Sequence, residues 1–143
     1  MNTPEETVIV TDDGFGPDDW TGAIRPPEAA SDGDGLDLSS DIDPLTMRAR
    51  LAKTPIIRID FPGFADGRGF TIARQLRLMG YSGRLRASGH VIADQYAMAR
   101  RAGFDEVQIS AELAARQPED QWLFRANWRA HDYQARLRGT NRL

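Results

Sequence analysis

Between an apolar run that ends at Phe61 and a helical pattern that begins near Phe70, the chain reads Phe64-Ala65-Asp66-Gly67-Arg68-Gly69. Gly67 and Gly69 permit close backbone approach, Asp66 is suited to cap a helix, and Arg68 projects a fixed positive charge beside a helix N-terminus. Those residue types at that spacing suit an oxyanion. They equally suit a plain turn whose arginine pairs with Asp60 or Asp66, and both readings stand on the residues alone. The loop is not a Walker loop, because the lysine and its following hydroxyl are missing, and one Gly-x-Gly without a third glycine is not a dinucleotide fingerprint.

A second group follows the next apolar run: Ser88-Gly89-His90, then Asp94 and Gln95. His90 has the chemistry of a general base or phosphate ligand, with Asp94 one turn beyond to orient it. The plainer reading is an inert loop histidine and a first-turn acid that answers the helix dipole. Arg86 offers a second guanidinium to clamp an anion with Arg68, although alternation along Arg84-Leu85-Arg86 sends it to the covered face of a sheet or to its edge. The candidate set is therefore Asp66, Asp94 and His90 as acids or bases, and Gly67, Arg68, Gly69 and Arg86 for anion binding. His131 is too remote in sequence from a second ligand to suggest a metal site, and none is predicted. With no cysteine in the chain, disulfides, thiolate nucleophiles and cysteine-ligated clusters are excluded. Any electron transfer would need a bound organic cofactor or a partner's metal centre, and the residues name no cofactor.

The elements that must hold these groups are readable from periodicity. Asp43-Pro44 marks a helix start over about 44–52, preceded by an alternating strand in Gly35-Leu36-Asp37-Leu38-Ser39-Ser40. Residues 55–61 alternate again, and Ile72, Leu76 and Met79 then recur at helical spacing up to Gly80. Residues 83–89 form a third strand, Ile92, Tyr96 and Ala99 a helix that stops at Gly103, and residues 106–110 a fourth strand. Four strands joined by helical crossovers require a parallel α/β sheet, either half-barrel-like or flavodoxin-like; in the first case two chains, a homodimer, would complete one barrel. The stretch after Ser110 is helix-prone, broken at Pro118, and rich in Trp122, Phe124, Trp128 and Tyr133 beside Arg125 and Arg129.

The 143 residues are sized for one domain. Val8-Ile9-Val10 suggests a small strand, but residues 11–35 are so rich in Gly, Pro and Asp that 1–34 read as an acidic flexible leader, docked at most by Trp20 and Ile24, with the domain spanning 35–143. Charge divides the same way: residues 1–43 hold 12 acids and one base, whereas residues 44–143 hold 9 acids and 17 bases. The two parts attract each other. The arginines are spread over several helices without an aromatic stacking strand, which argues against nucleic acid. No stretch approaches ~18 apolar residues and the acidic start lacks the regions of a secretory signal, so no membrane and a cytoplasmic location are expected.

The motifs Phe61-Pro62-x-Phe64-x-Asp66-Gly67-Arg68-Gly69, Ala73-Arg74-x-Leu76-Arg77, Gly80-Tyr81-x-Gly83-x-Leu85-Arg86-Ala87-x-Gly89, Asp94-Gln95 and Gly103-Phe104-Asp105 resemble those of a bacterial family, domain of unknown function 934. The likeness spans about Pro55 to Ile109. It departs where members usually carry an acid in place of His90 and a tyrosine in place of Phe70. The resemblance implies company with the haemoprotein subunit of sulfite or nitrite reductase, and hence an accessory or oxidoreductase component of assimilatory sulfite reduction. The residues themselves leave a second class open, a small oxyanion-binding α/β enzyme with its site at the strand ends.

Overall fold

The computed structural model describes residues 6–129. Seven strands form one sheet: β1 (Thr7–Thr11), β2 (Gly14–Gly16), β3 (Ile24–Arg25), β4 (Gly35–Leu38), β5 (Ile56–Phe61), β6 (Arg84–Gly89) and β7 (Glu106–Ser110). Across it they lie in the order β2-β1-β7-β6-β5-β4-β3. Strands β3 to β7 are parallel, while β1 runs antiparallel to both β7 and β2. The parallel strands thus follow chain order, without the reversal that a doubly wound sheet has at its switch point.

The crossovers are a 3-10 segment Pro44–Lys53, then α1 (Arg68–Leu78), α2 (Tyr96–Ala102) behind a short turn, and after β7 the helices α3 (Ala111–Arg116) and α4 (Glu119–Leu123). Asp43 caps the first of these, its carboxylate accepting the Leu45 amide, as the Asp-Pro pair foretells; the segment is wound as 3-10 rather than α. Gly80 and Gly103 both stop their helices in the left-handed region, at φ +100 and +118. No helix among the described residues is long and apolar enough to cross a membrane.

All the crossovers pack on one face. Met47 and Leu51, Phe70, Ile72, Ala73 and Leu76, and Tyr96, Ala99 and Ala102 join Leu36, Leu38, Ile57, Ile59, Phe61, Leu85, Ala87, Val107 and Ile109 in a single core. Because successive strand residues point to opposite faces, the alternate set lies on the other side. That set is mostly polar. Asp37, Arg58, Arg86 and Glu106 are direct neighbours across β4, β5, β6 and β7, an acid-base-base-acid row.

Residues 6–34, expected to be a flexible leader, are in fact integrated into this sheet. They supply β1, β2 and β3, on opposite edges, so the chain between Gly16 and Ile24 must pass from one edge to the other. Six strand spacings amount to ~29 Å and eight residue steps reach ~26–29 Å when extended, so the segment crosses the polar face in extended form. Asp18 and Asp19 pin it midway, on Arg86 and Arg84. Composition suggested mobility because apolar anchors are few; ion pairs to the basic part of the chain supply the missing attachment. Asp12 does likewise at the sheet edge, accepting from Tyr96, Arg100 and Trp128.

Arg86 has no exposed surface, and each of its three nitrogens is hydrogen-bonded, to Glu106, Gln108 and Asp18. Removing one partner of a buried pair strands the other charge, which typically costs ~3–5 kcal/mol. Glu106→Ala is therefore expected to lose that order of stability in urea denaturation, and Asp18→Asn, whose carboxylate is about a third exposed, distinctly less.

Candidate functional site

The ends of β4, β5 and β6 converge on one corner. The β5–α1 loop is rigid at its far end because Gly69 lies directly over Phe61: a Cβ there would come within 2.4 Å of the ring. Phe61 packs beneath it, tilted against Phe70 and edge-on to Phe104, with centroids 4.9 and 5.8 Å away. Gly69 therefore serves helix-to-strand packing. Gly67 faces no such crowding and occupies the helix N-cap with ordinary negative φ.

Asp66 and Arg68 are bound to each other. The Arg68 guanidinium donates to both Asp66 oxygens, Nε to Oδ1 at 2.9 Å and Nη2 to Oδ2 at 2.6 Å, and the Arg68 amide donates to Oδ1 at 3.1 Å. A further bond from Nη2 reaches Ser40 Oγ at 2.9 Å, bringing in the loop after β4. The turn reading of Asp-Gly-Arg-Gly thus describes the resting contacts. Hydrogen bonds from Arg68 hold the Asp66 carboxyl at about 2, well below its ordinary 3.8. Asp66 is therefore a poor proton acceptor near neutrality. Beside Arg68 runs an open groove of about 410 Å³ lined by Ser40, Ile42, Thr71 and Gln75 among others.

His90 follows β6 and sits against the β5–α1 loop. Its ring packs edge-on to Phe64 at 4.8 Å, its amide donates to the Phe61 carbonyl, and Nδ1 lies 3.2 Å from the same oxygen. A carbonyl only accepts, so in the neutral ring this contact places the proton on Nδ1 and leaves the lone pair on Nε2. Gly89 before it has φ +113, and a Cβ there would come within 2.7 Å of the Phe61 oxygen, so glycine is required for this approach.

The remaining candidates part company. Asp94 pairs with Arg125 at 2.7 Å, and no hydrogen bond links it to His90. Gln95 does the local work instead, its Oε1 accepting the Ile92 amide and its Nε2 donating to the Phe64 carbonyl. Arg86 lies on the polar face in the middle of the sheet, committed to Glu106, Gln108 and Asp18, so it forms no clamp with Arg68. Ser40, which sequence reading did not single out, carries a legible signal: it is the last residue of the alternating stretch 35–40 predicted as a strand, and strand ends are where α/β sites assemble. Arg77 is structural, tying the Gly103, Tyr81 and Gly83 carbonyls together at the far end of α1. His131 and Tyr133 lie outside the described residues.

The protein is thus a one-sided α/β sheet with a corner of loop groups at its strand ends. Residues 35–142 match the model of a family described as bacterial protein of unknown function (DUF934), and the chain belongs to that family. Neither a curated protein nor a solved structure matches it.

Two outcomes check this geometry. Gly69→Ala is expected to destabilise by ~1–3 kcal/mol in chemical denaturation, because its methyl overpacks against Phe61, whereas Gly67→Ala changes little. The Asp66 carboxyl, titrated by NMR, should have its midpoint near 2. Because that value is depressed in the folded state, the pair's contribution is present above about pH 4 and is lost as pH falls toward 2, so Asp66→Asn should flatten the thermal-stability profile across that window.

Proposed function

We propose that this chain is an accessory protein of assimilatory sulfite reduction that works alongside a reductase haemoprotein. The association comes from the family resemblance; one structural observation favours an accessory role over small-molecule catalysis. Both arginines that would clamp an oxyanion are held by the chain's own carboxylates, Arg68 by Asp66 and Arg86 by Glu106 and Asp18. An external anion would have to displace a bidentate internal partner. In this reading electrons stay with the partner's centre, consistent with a chain that has no cysteine. Of the two architectures, the chain-order parallel strands favour the half-barrel-like one.

A second reading, a small oxyanion-binding enzyme at the strand ends, draws on His90. Its Nδ1 contact to Phe61 directs the Nε2 lone pair away from the backbone, as a general base requires. Arg68, with more than half of its side chain exposed, would then exchange Asp66 for substrate.

The test is to add the purified chain to the sulfite reductase haemoprotein of the same host and follow both complex formation and sulfite turnover. The accessory reading expects a salt-sensitive complex with altered haemoprotein turnover, and no rise in Tm of the isolated chain with sulfite, sulfate or phosphate. A sulfite-dependent rise in Tm that Arg68→Ala abolishes, without any complex, would replace it with the enzyme reading.

A further inference from the structure

Three of the large apolar side chains that the described structure leaves exposed lie on or beside α2 and α4: Met98, 51% exposed, Leu123, 42%, and Phe124, 73%. Met98 and Phe124 line one groove of about 450 Å³, together with Asp94, Ala97, Arg101 and Arg125. Four residues after Phe124 stands Trp128, whose ring carries the Arg100 guanidinium at 4.8 Å and that of Arg129 at 4.9 Å. The groove's own lining, an apolar pair flanked by Arg101 and Arg125, has the composition of a protein-binding hot spot.

Charge says what kind of partner fits. Many arginines elsewhere are answered from within, Arg84 and Arg86 by Asp19, Glu106 and Asp18, Arg58 by Asp37, Arg77 by Asp105, whereas Arg48, Arg74 and Arg116 stand exposed and pair with no carboxylate among the described residues. In the groove Asp94 is engaged by Arg125, while Arg101 is exposed and pairs with no carboxylate among the described residues. The patch is basic around an apolar floor. Asp94, with 73% of its side chain exposed at the groove, is a poor neighbour for a phosphate backbone but compatible with a protein surface of mixed polarity.

We propose that the α2–α4 groove is the docking surface of this chain, and that its occupant is a protein surface presenting an apolar side chain ringed by carboxylates. It rests on the accessory reading above, in which that surface belongs to the reductase haemoprotein. The apolar side chain enters between Met98 and Phe124, and a carboxylate of the ring meets Arg101.

The test measures affinity of the full chain for the purified haemoprotein, for wild type, Arg101→Glu, Phe124→Ser and Arg74→Glu, the last an exposed charge on α1. All three positions are exposed, so folding should survive, and circular dichroism checks it. Arg101→Glu and Phe124→Ser are each expected to weaken binding by ~10-fold or more, with Arg74→Glu within ~2-fold of wild type, and Arg101→Glu should also lessen the salt dependence. Equal binding by wild type and all variants overturns this surface and leaves the accessory reading standing. No binding by wild type at any salt overturns both. A fluorescein-labelled single-stranded oligonucleotide that binds wild type, fails to bind Arg101→Glu and competes with the haemoprotein would make the groove a nucleic-acid site and overturn the proposal.

Discussion

The buried guanidinium of Arg86 is the constraint around which much of the chain is arranged. A charge without exposed surface in the middle of a sheet is tolerated only when nearly every donor finds an acceptor. Glu106 on the next strand supplies one carboxylate and Gln108 an amide oxygen, which the parallel register between β6 and β7 sets beside it. Arg58, the direct neighbour on β5, is a like charge and aggravates the need, and it turns to Asp37 on β4 instead. The second carboxylate for Arg86 has to come from outside the sheet. It comes from Asp18. Burial works against that carboxylate's charge, yet the bonds from Arg86 outweigh it and hold Asp18 in the ionised form.

From this follows the asymmetry of the fold. Parallel strands in chain order, with right-handed crossovers, put every helix on the same side. The other side must then be either closed by a second layer or made polar. Here it is polar in its middle, apolar at Ile9 and Ile56, and crossed by the stretched segment before β3. The strand-end corner belongs to the helix-covered side, where Gly69 and Gly89 let backbone come close to Phe61 and so fix the positions of Arg68 and His90.

Much of this was legible in the sequence. Helical and alternating periods located β4 to β7 and the crossovers to within a residue or two, because those elements each have one polar and one apolar face. The pairing of Arg68 with Asp66 was one of the two readings the residues allowed. The strands β2 and β3 were not legible, since three and two residues carry no period and they lie among glycine, proline and aspartate. Arg86 was ambiguous for a physical reason: alternation tells which face a residue takes, but only the strand order tells whether that face is open, and strand order is a long-range property. Of the two readings of Asp94, the pairing with His90 is not made, because the donor that takes its carboxylate, Arg125, arrives from the turn after α4, thirty-one residues later.

The family match begins at residue 35, yet the sheet uses residues from 7 onward. Without the earlier segment the matched region would have Arg84 and Arg86 sharing the single carboxylate of Glu106 on an uncovered face. The acidic segment thus does for the arginines of the sheet what composition alone suggested for the chain as a whole, bringing its negative charge to the positive part. It also explains where positive charge remains available. Carboxylates from residues 12–37 neutralise Arg25, Lys53, Arg58, Arg84, Arg86 and Arg100, all near the strands or the sheet edges. They do not extend to Arg48, Arg74 and Arg116 or to Arg101 and Arg129, and of these Arg101 alone borders the apolar groove between α2 and the turn after α4.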